Sequence, residues 1–178
     1  MSPLVRPSTD ADLPAIAAIY AQAVIHGTAS CELEPPSEAE MAQRRAALLA
    51  DRYPYFVADV DGAVAGYAYA GPFRTRPAYR ATVEDSIYVA PSWQGAGVGH
   101  ALLGALLPAC EAGGFRQMVA VIGDSASVGS RKLHAAHGFE LVGILAATGY
   151  THGRWLDTGL MQRALGDGAA SPPAIPLR

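Results

Sequence analysis

Four residues near the middle of the chain have the types and the spacing of a phosphate-binding loop. Gln94 is followed by glycines at positions 95, 97 and 99, and apolar residues recur at helical spacing from Val98 onward. The first N–H groups of a helix have no intrahelical partner, and glycines let a ligand approach the backbone closely. The pattern predicts a phosphate or pyrophosphate site, with a purely structural glycine turn as the alternative. The predicted loop comprises Gln94, Gly95, Ala96, Gly97, Val98 and Gly99.

Two other nucleotide-binding motifs do not fit this stretch. A Walker loop requires Gly-Lys followed by Ser or Thr, and the chain has no such run. A dinucleotide fingerprint has the spacing Gly-x-Gly-x-x-Gly, whereas the spacing here is Gly-x-Gly-x-Gly. The glycines therefore indicate an anion site of another kind.

A second cluster, at residues 73–80, combines arginines with aromatic side chains. It contains Phe73, Arg74, Thr75, Arg76, Tyr79 and Arg80. Guanidinium groups bind planar and tetrahedral anions well, so the cluster predicts a binding site for a carboxylate or a phosphinate. A solvated loop is the alternative interpretation of the same charges.

The elements that must position these residues follow from hydrophobic periodicity and turn signals. Strand patterns occur at residues 4–6, 55–60, 64–70, 82–89, 117–122, 139–147 and 154–163, and Asp61-Gly62 predicts a hairpin. Helix patterns occur at residues 13–26, 37–50 and 98–113 and around Leu133. Pro108 predicts a bend or an early end in the third helix. The alternation predicts an α/β fold with one domain, residues 1–165, and a Pro/Ala/Gly-rich tail, residues 166–178, that packs little.

Composition limits the classes of function. A chain of 178 residues with 51% hydrophobic content and a net charge of −3 fits one globular domain without a broad basic surface, so nucleic acid is not expected as a partner. Cys31 and Cys110 lack metal-type spacing and are expected to be free thiols. The sequence contains neither a signal-peptide pattern nor an apolar run of 18 residues, so we expect no membrane association and a cytoplasmic location.

The motifs resemble the GNAT superfamily of N-acetyltransferases. The Gln94–Gly99 stretch is similar to the signature Gln/Arg-x-x-Gly-x-Gly/Ala, which holds the acetyl-CoA pyrophosphate in that family. Further motifs along residues 3–165 resemble the phosphinothricin and methionine sulfoximine acetyltransferase branch. These motifs are Gly-Pro-Phe-Arg at 71–74, Val-Glu-Asp-Ser-Ile-Tyr-Val at 83–89, Leu-His at 133–134, Gly-Phe at 138–139 and Gly-Arg-Trp at 153–155.

The resemblance implies a fold, a cosubstrate and a partner. The fold is a mixed, mostly antiparallel sheet that splays at the central strand and is flanked by helices on both faces. The cosubstrate is acetyl-CoA, and no metal is expected, because His134 and His137 have no third ligand at a recognisable spacing. The resemblance also implies a homodimer.

The resemblance further implies roles for residues of the central strand and the last helix. Glu84 is expected to be the general base, with a carboxylate paired to Arg74, Arg76 or Arg80 as the alternative, and Ser86 is expected to lie beside it. His134 is expected to be the general acid for the coenzyme thiolate, with a packed helix histidine as the alternative. The backbone of Ile87, Tyr88 and Val89 is expected to bind the thioester and pantetheine.

Two features depart from the expected pattern. Asp85 interrupts the apolar face of the central strand, which suggests a β-bulge at that position. Ser127 and Ser130 stand where the family often has an Asn-x-x-Ala/Ser pattern that touches the coenzyme, so they are expected to provide weaker contacts. Tyr150, His152, Arg154 and Trp155 form a patch that could serve the dimer, the core or the wall of the acceptor pocket.

The sequence therefore favours acetyl transfer to the α-amine of a small amino-acid-like anion, such as phosphinothricin or methionine sulfoximine. Acetylation of another amine, such as a polyamine, an antibiotic or a protein N-terminus, is one alternative. A non-catalytic acyl-CoA-binding sensor is the other. The arginines at 74, 76 and 80 argue against polycationic acceptors.

Overall fold

The computed structural model describes residues 2–175, which form seven strands and four helices. The strands are β1 (Leu4–Pro7), β2 (Tyr55–Val60), β3 (Ala63–Pro72), β4 (Thr82–Val89), β5 (Gln117–Ile122), β6 (Glu140–Thr151) and β7 (Arg154–Ala164). The helices are α1 (Leu13–His26), α2 (Glu38–Ala50), α3 (Val98–Ala112) and α4 (Val128–Ala136).

All seven strands belong to one sheet in the order β1-β2-β3-β4-β5-β7-β6. Neighbouring strands run antiparallel everywhere except between β4 and β5, which are parallel. The Asp61-Gly62 turn joins β2 to β3, and both of its residues have positive φ, as that tight hairpin requires. The predicted mixed, mostly antiparallel sheet is confirmed.

Helices cover both faces of the sheet and bury a separate apolar cluster on each. On one face α3 contributes Val98, Leu102, Leu103, Leu106 and Cys110, which pack on β2, β3 and β4. On the other face α1 and α2 cover a row of tyrosines that includes Tyr55, Tyr67 and Tyr88. This apolar burial is the main force that holds the layers together.

The sheet opens between its two parallel strands. The pairing of β4 with β5 begins at the pair Thr82–Gln117 and ends at the pair Asp85–Ala120, although both strands continue beyond it. Along its other edge β4 stays paired with β3 as far as Val89. A gap therefore exists beside the second half of β4, as expected for the splayed central strand.

The β-bulge predicted at Asp85 is wrong. Asp85 pairs in unbroken register with Ala70 on one side and Ala120 on the other. The register shifts lie elsewhere, between Ala58 and Asp59 in β2 and within β6. The polar residue on the apolar face has a different cause, a buried contact with α4 that is described below.

The sixth strand and the third helix differ from the predictions in ways that have a physical reason. The sixth strand continues past the predicted end at residue 147 to Thr151, because a register shift between Leu145 and Gly149 accommodates the irregular residues. The third helix passes through Pro108 and ends at Ala112 rather than early. Leu106, Leu107 and Cys110 are buried beside the proline, and their packing outweighs the lost backbone hydrogen bond.

The described part of the tail packs against the domain, contrary to the prediction. Gly168 is buried, and Ile175 packs against the cluster under α3. The Arg116 guanidinium donates to Ser171 Oγ at 2.5 Å and to the Pro172 carbonyl at 3.0 Å. These contacts hold the described part of the tail, residues 166–175, against the domain, and residues 176–178 of the predicted tail lie outside the described part.

Within residues 2–175 no helix combines the length and the apolarity needed to cross a membrane. Cys31 and Cys110 are both free, the first exposed and the second buried.

Candidate active site

A cavity of about 440 Å³ lies between α2 and the paired strands β3 and β4. Glu84 and Ser86 line it from β4, because residues two apart on a strand face the same side. Arg44 and Leu48 line it from α2, and Tyr69 from β3. The remaining lining residues are Ala47, Asp51, Tyr53, Gly71 and Pro72.

The carboxyl group of Glu84 has an environment that suits a base. Partial burial, assisted by the neighbouring Asp85 charge, raises the pKa of Glu84 above its ordinary value. A carboxylate with a raised pKa, open to a cavity, can accept a proton near neutral pH.

The residues that α2 brings to the cavity were missed in the sequence. Arg44 donates to Glu32 at 2.6 Å and to Glu40, so two carboxylates already neutralise it. Tyr20 of α1 donates to the same Glu32 oxygen at 2.6 Å. The spacing of Glu40 and Arg44 predicts a helix-surface ion pair, but nothing local indicates that Arg44 faces a cavity.

The arginine cluster lies at a second, neighbouring cavity of about 470 Å³. Arg74, Thr75, Arg76 and Tyr79 line it. The Arg74 guanidinium lies 5.2 Å from the ring centre of Phe73 and 5.7 Å from that of Tyr79, within cation–π range. Pro72 lines the first cavity and Arg74 lines the second, so the two sets of lining residues are close together in the chain. The structure thus separates Glu84 and Ser86 from the arginines, and Arg80 is not among the lining residues of either cavity.

His134 is buried on the opposite face of β4 and contacts Asp85. Its Nε2 lies 2.9 Å from Asp85 Oδ2, and its Nδ1 lies 2.7 Å from the Ser130 carbonyl oxygen. Burial opposes a charge on the imidazole, but the hydrogen bond and the negative charge of Asp85 outweigh it, so the pKa of His134 is raised. This contact explains the polar residue on the apolar face of β4.

The Gln94–Gly99 loop has the geometry of an anion cradle. Gly95 and Gly97 have φ of 77° and 81°, and Gly97 is the N-cap of α3. The first intrahelical bond runs from the Ala101 amide to the Gly97 carbonyl at 3.0 Å, so the amides of Val98 and Gly99 precede it. A Cβ added at position 95 or 97 would meet no atom within 4 Å, so space remains beside the backbone for a ligand. The loop can therefore hold a pyrophosphate, as acetyl-CoA binding requires.

The other residues expected to hold the coenzyme lie around the gap in the sheet. Ile87, Tyr88 and Val89 belong to the part of β4 that pairs only with β3, so alternate backbone groups face the gap. Ser127 is the N-cap residue of α4 but makes no side-chain cap bond. Ser130 contacts His134 through its carbonyl, and its Oγ lies 3.5 Å from the same ring nitrogen.

The C-terminal patch lies away from both cavities. His152 Nε2 lies 2.8 Å from the Gly27 carbonyl oxygen, and Arg154 donates to Asp124 at 2.8 Å. Tyr150 and Trp155 stack edge to face, and both are more than half exposed. The two rings therefore belong to the outer surface of the β6–β7 hairpin.

Together these groups can carry out acyl transfer between an anionic carrier and an amine. The cradle suits the carrier's phosphates, the gap suits its arm, and Glu84 can accept a proton. Among residues 2–175 no group of three or more His, Cys, Asp or Glu side chains is arranged to hold a metal ion.

Comparison with known proteins identifies the family. Residues 21–139 match the family model described as "Acetyltransferase (GNAT) family". The chain is 51% identical over 169 residues to a phosphinothricin N-acetyltransferase of Alcaligenes faecalis, covering 95% of this chain and 86% of that protein. It is 40% identical over 178 residues to an L-methionine sulfoximine/L-methionine sulfone acetyltransferase of Pseudomonas aeruginosa, covering 97% and 100%.

A solved structure agrees with this match over nearly the whole fold. A phosphinothricin acetyltransferase from Sinorhizobium meliloti, crystallised with acetyl-CoA, superposes with a TM-score of 0.95 at 54% identity, covering 98% of this chain and 94% of that one. The family match, the relatives and the shared fold all lead to the same conclusion: the chain belongs to the acetyltransferase (GNAT) family.

Proposed function

We propose that this acetyl-CoA-dependent N-acetyltransferase moves the acetyl group directly to the α-amine of a small amino-acid-like anion, such as phosphinothricin or methionine sulfoximine. The relatives named above support this substrate class. The observation that carries the proposal is the position of Glu84, which lines a cavity one residue before β4 and β5 part. An amine in that cavity and a thioester in the gap would meet at this point.

Glu84 is the general base in this proposal. An α-amine is mostly protonated at neutral pH and attacks only as the neutral form. Glu84 takes the surplus proton directly or through one water molecule, and its raised pKa suits that task. Ser86 lines the same cavity and binds the acceptor beside the reacting amine.

The arginine cluster binds the acid end of the acceptor. Arg44 is already neutralised by Glu32 and Glu40, whereas the Arg74 and Arg76 side chains face the adjoining cavity. An acceptor that places its amine at Glu84 would extend its carboxylate or phosphinate past Pro72 toward these arginines. Thr75 lines the same cavity, Phe73 packs against the Arg74 guanidinium, and Arg80 belongs to the same loop.

The coenzyme lies along the gap and over the cradle. The Gln94–Gly99 loop holds the pyrophosphate, and the backbone of Ile87–Val89 holds the arm and the thioester oxygen. Ser127 and Ser130 contact the coenzyme from the start of α4. His134 supplies the proton that the leaving thiolate needs.

The decisive experiment measures coenzyme thiol release from acetyl-CoA with a panel of acceptors. The panel contains phosphinothricin, methionine sulfoximine, methionine sulfone, spermidine and a short peptide. We expect turnover on the first three. In Arg74→Gln the acceptor KM should rise about tenfold or more, because one charge-assisted contact is lost, while the KM for acetyl-CoA stays unchanged.

Arg163→Gln is the matched control, because it removes an arginine of β7 that lines neither cavity. Its acceptor KM should equal that of the unmodified protein. Turnover restricted to spermidine or to the peptide would refute the proposed substrate class. Tight acetyl-CoA binding without turnover on any acceptor would refute the proposed catalysis and favour a sensor.

We propose further that the protein is a homodimer joined through the β6–β7 hairpin. β6 is the edge strand of the sheet, yet it exposes a run of large apolar side chains. These residues are Leu141, Val142, Ile144, Leu145 and Tyr150, together with Trp155 of β7. An exposed apolar edge of this size is normally covered by another chain.

The cytoplasm is the proposed location of the protein. Cys31 and Cys110 are both free thiols, which supports a reducing compartment.

A further inference from the structure

We propose that Asp85 is a positioning residue that keeps His134 protonated on both ring nitrogens, so that His134 acts only as an acid and never as the base. The inference rests on the proposed function, since it concerns the same acetyl transfer. Asp85 lies on β4 directly after Glu84 and faces the other side of the sheet. The two adjacent carboxylates would therefore have opposite tasks on opposite faces of one strand.

The proposal rests on which atom donates and which accepts in the two hydrogen bonds of His134. A backbone carbonyl only accepts, so the 2.7 Å contact with the Ser130 carbonyl requires a proton on His134 Nδ1. A carboxylate also only accepts, so the 2.9 Å contact with Asp85 Oδ2 requires a proton on Nε2. Both contacts are satisfied when the ring is an imidazolium beside an ionised Asp85.

Burial protects the contact between His134 and Asp85 from exchange with water. The side chains of His134 and Asp85 are only 6% and 2% exposed, so bulk water cannot replace either contact. The second oxygen of the carboxylate, Asp85 Oδ1, is buried with no hydrogen-bond partner among the described residues. A carboxylate with so few donors depends on the His134 proton, and removal of the imidazole charge would leave it buried and uncompensated.

The pair lies where a leaving thiolate would need it. Asp85 is the last residue of β4 that pairs with β5, so the residue that contacts Nε2 stands where the gap proposed for the coenzyme arm begins. The ring of Phe139 packs edge to face against the imidazole, with 5.1 Å between the two ring centres. The ring is therefore fixed in orientation as well as in protonation.

Other titratable groups near the pair come from each neighbouring element. On β4, burial and the charge of Asp85 raise the pKa of Glu84. On α3, burial and the same charge raise the pKa of the Cys110 thiol, and at the end of α4 burial and nearby positive charges, that of His134 among them, lower the pKa of His137. None of these groups can donate to Asp85 in place of His134 in the described structure, because Asp85 Oδ1 has no partner and Oδ2 contacts Nε2.

The transfer step balances with these two residues and Glu84. Glu84 passes the proton of the ammonium form to solvent, and the neutral amine nitrogen forms the bond to the carbonyl carbon. Glu84 then takes the second proton from that nitrogen. The C–S bond breaks with its electron pair on sulfur, and sulfur takes the proton from His134 Nε2. The neutral ring then presents a lone pair to the Asp85 carboxylate, an unfavourable contact that favours uptake of a solvent proton once the products leave.

Nitrogen NMR of the 178-residue chain, labelled with ¹⁵N-histidine, tests the proposal without any acceptor. At pH 8, where an ordinary histidine with a pKa of about 6.5 is neutral, both ring nitrogens of His134 should carry protons. In Asp85→Asn the ring should be neutral at pH 8. Asp61→Asn is the matched control, because it makes the same chemical change in the exposed β2–β3 turn, and it should leave the His134 signals unchanged.

The pH dependence of kcat distinguishes a positioning role of Asp85 from a purely structural one. In Asp85→Asn, kcat should decline at least tenfold between pH 6 and pH 8, with little change in the acceptor KM, whereas the unmodified protein should keep its kcat over that range. Asp85→Glu should restore part of the loss. A single protonated nitrogen on His134 at pH 8 in the unmodified protein would overturn the proposal, even if Asp85→Asn failed to fold.

The NMR result also separates this proposal from the proposed function. A doubly protonated His134 in a protein that acetylates none of the amino-acid-like acceptors would refute the proposed substrate class and leave the Asp85 assignment standing. Acetylation of those acceptors by a protein whose His134 carries one proton would support the substrate class and refute the role of Asp85.

Discussion

At the scale of single residues, the chemistry depends on environments more than on residue types. Glu84 and Asp85 are neighbours in the chain, but Glu84 faces an open cavity and Asp85 faces a buried histidine. Only the first can exchange a proton with a bound amine. The alternation of a strand is thus enough to give two adjacent carboxylates different roles.

The raised pKa of Glu84 predicts the acid limb of the pH profile. The base must be ionised, so activity is lost as the pH falls through the pKa of Glu84. Because burial and Asp85 raise that pKa, kcat/KM should begin to fall at a higher pH than the ordinary glutamate value of about 4.3 would give. A pH series of initial rates measures this limb, and a limb at or below the ordinary value would contradict the role of burial.

Replacement of the carboxylate tests the base itself. Glu84→Gln keeps the size of the side chain and should lower kcat by about 10²- to 10⁴-fold, the usual contribution of a general base. Acetyl-CoA binding, measured by calorimetry, should be unaffected. Glu38→Gln, an exposed carboxylate at the start of α2, is the control and should retain full activity. A loss of less than threefold in Glu84→Gln would remove this residue from the mechanism.

Residues that act alone within a motif were predictable from the sequence, and residues that act in distant pairs were not. Glu84 and Ser86 lie at the cavity because their positions follow from strand alternation and the family resemblance; the catalytic role of Glu84 stays a prediction. Asp85 and His134 are 49 residues apart, so only the fold brings them together, and the sequence instead suggested a bulge. Arg44 was missed for the same reason.

At the scale of elements, the start of α3 combines a backbone requirement with a ligand requirement. Gly97 has a left-handed conformation that costs roughly 1 kcal/mol or more for a residue with a Cβ. An added methyl group would touch nothing, so the cost is conformational rather than steric. Elements with local signals, such as this helix start and the Asp61-Gly62 hairpin, were accordingly predictable, whereas the length of β6 depended on an irregular register.

Gly97→Ala should therefore weaken coenzyme binding more than folding. We expect the Kd for acetyl-CoA to rise about fivefold or more, because the strain displaces the amides of the first turn. Gly104→Ala is the matched control in the same helix, where the glycine has helical geometry and an added methyl group meets only an ordinary contact. It should leave the Kd unchanged and raise stability by about 0.5–1 kcal/mol. Equal affinities in all three proteins would refute the cradle.

At the scale of the whole molecule, the two edges of the sheet differ in what they expose. The β6 edge carries several apolar side chains that are about half exposed, whereas β1 at the other edge exposes the single large apolar residue Leu4. A dimer through β6 would bury the first set and leave the second in solvent. The sequence suggested a dimer by resemblance and gave the patch around Tyr150 and Trp155 as one candidate surface. It could not indicate the apolar residues of β6, because edge and central strands share the same apolar patterns.

Val142→Glu should convert the proposed dimer to a monomer. A buried, unpaired carboxylate in an apolar interface is strongly unfavourable, so sedimentation velocity should show a single species of half the mass. Leu4→Glu makes a comparable change on an exposed residue at the opposite edge and should keep the mass of the unmodified protein. A protein that is already monomeric, or a Val142→Glu variant that remains dimeric, would rule out this interface.

The two tryptophans of the chain occupy positions that report on different events. Trp93 lies half-buried in the turn just before the Gln94–Gly99 loop, whereas Trp155 is 63% exposed on the β6–β7 hairpin. Indole emission shifts to shorter wavelength and changes in intensity when water is excluded from the ring. Trp155→Phe would leave fluorescence that follows occupancy of the cradle, and Trp93→Phe would leave fluorescence that follows association of two chains. The sequence thus carries separate optical probes for the proposed cosubstrate site and for the proposed dimer, with no added label.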